Sequence, residues 1–313
     1  AEKEQKLKYN SRRGYRHAVE MAKAWFAGYG MSEISTTDIN RHLEQMAAQG
    51  KAYKTIANQR SVISLIYQFW CTHMGGDKNP CDLLRLPQGL PQTKRRTPTD
   101  AEIEKVQAHT DGFGLCAAFA MYAGLRLGEI MALQKRDLDG GKISITKAVV
   151  WHNNVPEIES PKTANSIRKV PILAPLAEAL GNRLDGLKAD DYIFGGAQPY
   201  THAQYTNAWQ QYCASIGCAH STGAEYDYIK KSRPGKIQHK HTIATDFTLH
   251  QLRHEFASVL VQCDVSSQVA KELMGHADIA TTQRWYAEAK SWAIDDAEKA
   301  LNAHFSRKKI VKD

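Results

Sequence analysis

The chain has 313 residues, of which 42% are hydrophobic and 24% are charged, and its formal net charge is +8. The composition is that of an ordinary globular protein, and the length predicts two domains. The longest apolar run, residues 115–123, is shorter than the ~18 residues that a membrane-spanning helix needs. Because residues 1–16 are polar and charged, we expect no signal peptide and a cytoplasmic protein without membrane contact.

The charge is distributed unevenly along the chain. Residues 1–97 hold 16 Lys and Arg against 8 Asp and Glu, whereas residues 98–313 hold 25 of each kind. A basic module beside a balanced one is typical of proteins that bind a polyanion such as DNA. A basic surface that only improves solubility explains the charge equally well.

Hydrophobic periodicity predicts a small helical domain over residues 1–90. Apolar and aromatic residues recur at helical spacing over residues 12–29, 37–49 and 55–74. A short fourth helix is predicted over residues 81–86. Core packing explains the aromatic residues of this domain without any stacking on DNA bases.

The helical pattern is interrupted at residues 91–98, where prolines and basic residues indicate an exposed linker. Its basic residues are candidates for contacts with DNA: Lys94, Arg95 and Arg96. A solvated connector without DNA contacts has equal support from the sequence.

The second domain is predicted to span residues 99–313 and to open with a capping box at Thr99–Glu102. A buried helix over residues 113–123 is expected to end at Gly124, and a new helix is expected to start near Leu127.

Strands of one small antiparallel sheet are predicted next, because residues 142–150 and 155–173 alternate in polarity. Turns are expected at residues 153–154 and 163–165. This pattern places Lys162 at the tip of a β-hairpin.

Further helices are predicted at residues 175–187, 201–216, 248–262, 266–274 and 279–289. The predicted fold class is therefore mainly α with a small antiparallel β-sheet. Residues 217–246 are polar and basic without periodicity, which predicts a long functional loop. Basic residues of this segment are further candidates for DNA contacts: Lys230, Lys231 and Arg233.

The six cysteines are scattered through a chain that is large enough to fold without disulfides, so we expect reduced thiols. A zinc site is an alternative for one group of residues: Cys213, Cys218 and His220, with His239 and His241 downstream. We favour no metal, because the two cysteines are not followed by a second closely spaced pair of ligands.

Two arginines have the chemistry to stabilise a phosphate under attack. A guanidinium group donates two parallel hydrogen bonds to phosphate oxygens and offsets the charge of a pentacoordinate phosphorus. Arg126 is flanked by Gly124 and Gly128, and Glu129 is placed to orient its guanidinium group. Arg253 is the second candidate.

Two histidines accompany these arginines. His250 lies three residues before Arg253, so the two share one face of the predicted helix, whereas His254 is expected to point elsewhere. His276 follows Gly275 in a predicted turn.

The nucleophile and the proton donor are the last candidates. A tyrosine hydroxyl, with a reference pKa of ~10, needs nearby cations and a proton acceptor to attack a phosphate. Tyr286 follows His276 by ten residues. Lys162 is placed to protonate a departing 5′ oxygen. Each residue taken alone has a commoner structural explanation.

The order of these residues is more informative than any one of them. Five motifs carry them: Gly124–Glu129, Ser160–Thr163, His250–Arg253, Leu273–His276 and Thr282–Tyr286. Together with residues 166–172, they resemble the tyrosine recombinases, the phage integrase family. The resemblance covers the chain well from about Thr99 to its end and loosely before that. It implies a set of catalytic residues: Arg126, Lys162, His250, Arg253, His276 and Tyr286.

The resemblance also implies a function and partners. The enzyme would be a site-specific DNA recombinase that forms a 3′-phosphotyrosyl intermediate without metal, cofactor or ATP. Its partners would be double-stranded DNA and three further copies of itself in a homotetramer on two DNA sites, with room for an accessory directionality factor. It would act in the bacterial cytoplasm, encoded by a phage or another mobile element.

Three questions stay open at this point. A type IB topoisomerase-like or telomere-resolving enzyme uses similar chemistry, and a non-catalytic DNA-binding regulator can keep the same fold. The regulator has less support, because a binding protein needs neither Tyr286 nor Lys162. The amphipathic stretch at residues 294–305 is expected to form a tail helix that docks on a neighbouring protomer, with packing on its own domain as the alternative.

Overall fold

A computed structural model describes residues 9–91, 96–160, 167–229, 237–276, 280 and 283, and gives only the backbone of residues 10, 225–229 and 237–241. The chain divides into two compact units, Ala1–Arg95 and Arg96–Asp313. The described part of the first is helical, and the second combines helices with small antiparallel sheets. The predicted fold class is therefore confirmed. Among the described residues, no helix has both the length and the apolar character needed to cross a bilayer.

The first unit contains α1 (Tyr9–Trp25), α2 (Thr36–Ala48) and α3 (Tyr53–His73). The three helices confirm the predicted periodicity, although α1 begins and ends earlier than expected. Their buried faces supply an apolar core that includes Ile39, Leu43, Ile56, Ile63 and Tyr67.

The predicted helix over residues 81–86 is wrong, because residues 80–83 form a turn. The turn is closed by a 3.3 Å hydrogen bond from the backbone N–H of Leu84 to the carbonyl of Cys81. The Asn79 side chain accepts from the backbone N–H of Cys81 at 3.1 Å. Such a local bond gives the backbone an alternative to helical hydrogen bonding.

The second unit opens with α4 (Asp100–Ala108), α5 (Gly114–Ala123) and α6 (Leu127–Ala132). The predicted capping box is confirmed, since the side chains of Thr99 and Glu102 each accept a hydrogen bond from the other's backbone N–H. Helix α5 is buried and ends at Gly124, whose φ of +61° is left-handed. This ending also confirms the prediction.

Five short strands follow: β1 (Leu138–Asp139), β2 (Lys142–Ile145), β3 (Ala148–His152), β4 (Val155–Glu159) and β5 (Arg168–Pro171). They form two antiparallel sheets, β1–β2–β5 and β3–β4, instead of the predicted single sheet. The β3–β4 turn is tight because Asn153 and Asn154 adopt φ angles of +48° and +78°. Since β4 pairs with β3 and β5 pairs with β2, these two strands are not paired with each other as expected. The turn predicted at residues 163–165 lies outside the described residues.

The remaining described elements are α7 (Ala174–Leu180), α8 (His202–Ser215), β6 (Ala219–Ile229), β7 (Ile237–Thr245), α9 (Leu249–Gln262) and α10 (Ser267–Met274). The last three helices agree with the prediction, whereas α7 is shorter because Gly181 ends it with a φ of +40°. The predicted loop at residues 217–246 is wrong, because β6 and β7 pair into an antiparallel ribbon. Residues 221–224 of β6 are exposed, so no apolar face there produces an alternating sequence.

The core of the second unit brings distant segments to one place. Phe119 of α5 and Leu252 of α9 are both fully buried in the same apolar cluster. At the end of α5, Phe256 of α9 lies where a side chain of Gly124 would be. The start of α6, strand β5, helix α9 and the end of α10 therefore meet beside this core.

Candidate active site

Four charged side chains form what we call the arginine cluster: Arg126, Arg168, Arg253 and Glu129. Glu129 accepts hydrogen bonds from the backbone N–H and from Nη1 of Arg126, both at 2.8 Å. Arg168 donates to both carboxylate oxygens, from Nη1 at 3.0 Å and from Nη2 at 2.9 Å. Nη1 of Arg253 lies 3.9 Å from Oε2 of Glu129. One carboxylate therefore orients guanidinium groups from the start of α6, from β5 and from α9.

Glu129 is ionised even though it is buried. Burial alone would raise the pKa of its carboxyl group, but the hydrogen bond and charge of Arg168, together with the charges of Arg126 and Arg253, lower it to about 2. The carboxylate is therefore negative near neutral pH.

The end of helix α10 is held by the same arginines. Three consecutive carbonyl groups each accept a hydrogen bond from a different arginine: Leu273 from Nε of Arg168 at 2.8 Å, Met274 from Nη2 of Arg253, and Gly275 from Nη2 of Arg126 at 2.8 Å. The last carbonyls of a helix lack partners within the helix and carry a partial negative charge. The arginine cluster thus provides hydrogen-bond donors for the last carbonyl groups of α10. It also fixes the position of the backbone that leads into the next residue, His276.

Arg253 is the most buried member of the cluster, with 1% of its surface exposed. Its Nη1 also donates to the carbonyl of Gly124. Burial and the charge of Arg126 lower the pKa of its guanidinium group, and Glu129 opposes them. Arginine nevertheless keeps its proton in proteins. The lowered pKa therefore means that the charged guanidinium group is incompletely compensated, so that an additional anion would stabilise the site. Three guanidinium groups against one carboxylate leave a net charge of +2.

Two glycines allow the close approach of these elements. Gly275 has a φ of +61°, and a Cβ atom on it would lie 2.7 Å from Nη1 of Arg168. A Cβ atom on Gly124 would lie 2.4 Å from the ring of Phe256. Both positions thus require glycine for its left-handed backbone and for its lack of a side chain.

His276 lies beside the cluster, half-buried. Burial lowers the pKa of its imidazole to about 4, and the charges of Arg253, Arg126 and Arg168 contribute in the same direction. The ring is therefore neutral near pH 7. His250 lies on the exposed side of α9. Its ring centroid is 4.4 Å from that of His254, so the expectation that His254 points elsewhere is wrong: four residues apart, the two share a helix face.

Of the predicted catalytic residues, the structure brings together Arg126, Arg253 and His276, with His250 near them. Lys162 and Tyr286 lie outside the described residues, as do the tail at residues 294–305 and most of residues 279–289. Glu129 orients Arg126 as predicted.

Arg168 was not among the predicted site residues. A signal for it existed, because Arg168 and the fully buried Val170 are two apart on a strand and share one face.

Among the candidates for DNA contacts, only Arg96 is described. Its Nη1 and Nη2 each donate to a Glu102 oxygen at 2.6 Å, and Nη2 also donates to the Asp246 carbonyl at 3.1 Å. The hydrogen bond from Arg96 is the main cause that lowers the pKa of Glu102 to about 2. Its guanidinium group is thus engaged within its own unit. Lys94, Arg95, Lys230, Lys231 and Arg233 lie outside the described residues.

The zinc alternative has no support from Cys213 and Cys218. Both are buried, and burial raises the pKa of both thiols, which disfavours the thiolate that binds zinc. His220 is exposed and pairs with Asp246 at 2.7 Å. Within the described ranges, Glu102, Cys218 and Asp246 place potential ligand atoms within 4.8 Å of one another, but both Glu102 oxygens already accept from Arg96.

Comparisons with known proteins agree with this fold. A Tn1549 transposon integrase, solved with transposon-end DNA, superposes with a TM-score of 0.71 at 18% identity over 93% of this chain and 95% of that one. A lambda integrase dimer on a core site gives a TM-score of 0.58 at 15% identity, over 90% and 89% of the two chains. The fold is that of the tyrosine recombinases.

The sequence comparison extends this from fold to family. The model of the phage integrase family matches residues 113–291, and the chain belongs to that family. A XerC-like tyrosine recombinase of Caldanaerobacter subterraneus is 25% identical over 93% of this chain and 76% of its own. The transposase of Tn916 from Enterococcus faecalis is 22% identical over 98% and 76%. The chain is thus a site-specific tyrosine recombinase, an enzyme that cleaves and rejoins DNA strands.

Proposed function

We propose that the arginine cluster holds the scissile phosphate of duplex DNA and that Tyr286 attacks it. The observation that supports this is the net charge of +2 in a cluster whose Arg168, Arg253 and Glu129 side chains are buried, beside a histidine that is neutral near pH 7. Arg126 and Arg253 are the phosphate ligands in this proposal, since negative charge on the phosphate oxygens grows as the nucleophile adds. His250, on the exposed side of α9, supplies a further hydrogen bond to the same phosphate.

The proposed chemical step balances without a cofactor or metal. The hydroxyl oxygen of Tyr286 forms a bond to phosphorus while the bond between phosphorus and the 5′ oxygen breaks. Lys162 gives a proton to the departing 5′ oxygen. The ring of His276 accepts the tyrosine proton, which it can do because it is neutral and because the bound phosphate opposes the cationic neighbours that lower its pKa.

The product is a 3′-phosphotyrosyl link and a free 5′ hydroxyl group. Attack by the 5′ hydroxyl of a partner duplex on this link then rejoins the strands and restores Tyr286. The energy of the phosphodiester bond is kept in the protein–DNA link, so ATP is not required. This is the reason that a tyrosine recombinase can exchange strands without an external energy source.

The finer assignments of partners are also proposals. A lambda integrase tetramer has been solved on a Holliday junction, and we propose the same number of protomers here, on two DNA sites, with room for an accessory directionality factor. Residues 1–90, 91–98 and 99–313 are proposed as the core-binding domain, linker and catalytic domain. The bacterial relatives support action in the bacterial cytoplasm, on behalf of a mobile element.

The nucleophile is tested by trapping DNA on the protein. Wild-type protein is incubated with sheared bacterial genomic DNA and denatured, and the protein-linked fragments are sequenced. The Tyr286→Phe variant should bind DNA as the wild type does and yield no linked DNA, because only one oxygen is removed. Tyr29→Phe, at a tyrosine that is 58% exposed in the first unit, is the matched control. Linked DNA from Tyr286→Phe would show that another residue is the nucleophile.

The proton donor is tested with the duplex that this trapping recovers. A substrate with sulfur at the 5′ bridging position should restore cleavage by Lys162→Ala, because a thiolate leaves without a proton. The same substrate should not restore cleavage by Arg126→Ala, whose proposed role is to hold the non-bridging oxygens. Equal restoration of both variants would contradict the separate roles.

A further inference from the structure

Arg168 is a buried arginine that the proposed chemistry does not use. It is the first residue of β5, its side chain is 6% exposed, and it lies on the same strand face as the buried Val170. Burial of an arginine is costly unless its donors are satisfied. Arg168 meets this condition within the protein, because Nη1 and Nη2 donate to Glu129 and Nε donates to the carbonyl of Leu273.

These contacts connect two parts of the site. Through Glu129, Arg168 acts on the orientation of Arg126, whose Nη1 shares the oxygen Oε1 with Arg168 Nη1. Through Leu273, it holds the end of α10, one residue before the carbonyl bound by Arg253. A change at Arg168 would therefore move the groups on both sides of the phosphate site.

We infer that Arg168 is a positioning residue for DNA cleavage, which fixes Glu129 and the end of α10 so that Arg126, Arg253 and His276 converge on one phosphate. The inference rests on the proposed function, because it takes those three residues as the phosphate site. Arg168 itself does not touch the reacting atoms in this assignment, since its fork faces Glu129.

The inference requires both the shape and the charge of arginine. Only a planar fork can reach both oxygens of Glu129 while Nε donates to a third acceptor. Lysine would keep the charge and lose this geometry. Methionine would lose both, with a similar side-chain length.

The charge has a separate effect on His276. The charged and titratable groups that bear on this histidine come from several elements: Arg253 and His250 of α9, Arg126 at the start of α6, and Arg168 of β5. Removing the charge of Arg168 should raise the pKa of His276 from about 4 toward its ordinary value. A purely structural role for Arg168 would not shift this titration in a folded variant.

The experiment compares Arg168→Lys and Arg168→Met with the wild type. The rate of covalent linkage to the trapped duplex is measured from pH 4 to pH 9, and the titration of His276 is followed by NMR without DNA. Arg183→Met is the matched control, because this exposed arginine donates to the Gly112 carbonyl at 2.9 Å away from the cluster. Circular dichroism establishes that each variant is folded.

We expect both variants at Arg168 to cleave more slowly, on the order of 100-fold for methionine, as for a catalytic group misplaced by about 1 Å. Only Arg168→Met should shift the acid limb of the rate profile and the titration of His276 to higher pH. Arg183→Met should match the wild type. If Arg168→Lys cleaves at the wild-type rate, or if folded Arg168→Met leaves the acid limb unchanged, the inference is overturned. If Arg168→Met does not fold, the rate of Arg168→Lys decides.

Failure of the proposed function has a different result. If Arg126→Ala cleaves DNA at the wild-type rate, the proposed phosphate site is rejected, even if Arg168→Met still changes the titration of His276. Loss of cleavage in Arg126→Ala with a normal rate and titration in Arg168→Met would keep the phosphate site and reject the role of Arg168.

Discussion

Replacing Glu129 with Gln removes the carboxylate that orients the arginine cluster. The amide keeps the size of the side chain and one acceptor oxygen. Its NH₂ group, however, replaces one of the two carboxylate oxygens, which both accept hydrogen bonds from Arg126 and Arg168. A donor would then face the donors of the guanidinium groups. The net charge of the cluster rises, because three guanidinium groups then have no carboxylate among them.

The size of the effect follows from the pKa of Glu129. Folding lowers this pKa from 4.5 to about 2, which corresponds to about 3 kcal/mol of stabilisation at neutral pH. Removing one partner of a buried ion pair costs roughly 3–5 kcal/mol, in agreement with that value. For a unit the size of residues 96–313, a loss of about 3 kcal/mol should lower Tm by roughly 6–12 °C.

The assay is calorimetric unfolding of wild type and Glu129→Gln between pH 3 and pH 8. Because the folded pKa is depressed, the stabilisation is fully present above pH 4.5 and is lost as the pH falls toward about 2. The difference in Tm should therefore be constant from pH 6 to pH 8 and shrink at pH 3. Glu157→Gln is the control, since its carboxylate pairs with His152 on the surface and is 53% exposed. Its effect should be small.

Two results would refute this reasoning. One is a Tm for Glu129→Gln within about 2 °C of the wild type at pH 7, which would correspond to less than about 1 kcal/mol. The other is a large loss of Tm that does not depend on pH, because it would show that the shape of the side chain matters and its charge does not.

Three further predictions concern other parts of the chain. His42 is 4% exposed and its ring contacts those of Trp25 and Phe26. Burial lowers the pKa of its imidazole. Because the folded state disfavours protonation of His42, stability should fall as the pH drops below 6.5. Gly275→Ala should destabilise the second unit, since its Cβ atom would lie 2.7 Å from Arg168. Deleting residues 1–97 should flatten the salt dependence of DNA binding, because each phosphate that the protein no longer neutralises takes ~0.9 from the log–log slope.

Each of these has its own check. An NMR titration of His42 with a midpoint at or above 6.5 would contradict the first. For the second, Gly140→Ala is a matched control, because Gly140 has a φ of +54° and a Cβ atom on it would meet no other atom within 4 Å. An equal loss of Tm in both variants would show that backbone strain alone, and not the contact with Arg168, causes the loss. An unchanged salt slope for residues 98–313 would mean that the basic excess is a solvated surface.

Local features of the sequence determined most of the helices. Periodicity located α2, α3, α8 and α9, because the same face of each helix must bury apolar side chains wherever it packs. The capping box at Thr99 and the left-handed Gly124 depend on residues three positions apart or on one residue alone. The order of the catalytic motifs was also visible in the sequence, and it identified the family without a structure.

Only the tertiary structure decided how the strands pair and how the site is built. Strand β5 pairs with β2 across more than twenty residues. Strands β6 and β7 pair with each other, and residues 221–224 of β6 are all exposed, so that they show no alternation of buried and exposed side chains. Arg168 reaches Leu273 across 105 positions, and Arg126 reaches Gly275 across 149. No local pattern encodes such contacts, because they form only when the core brings these segments together. The order of the predicted catalytic residues was therefore readable from the chain, whereas the contacts of Arg168 with Glu129 and Leu273 were not.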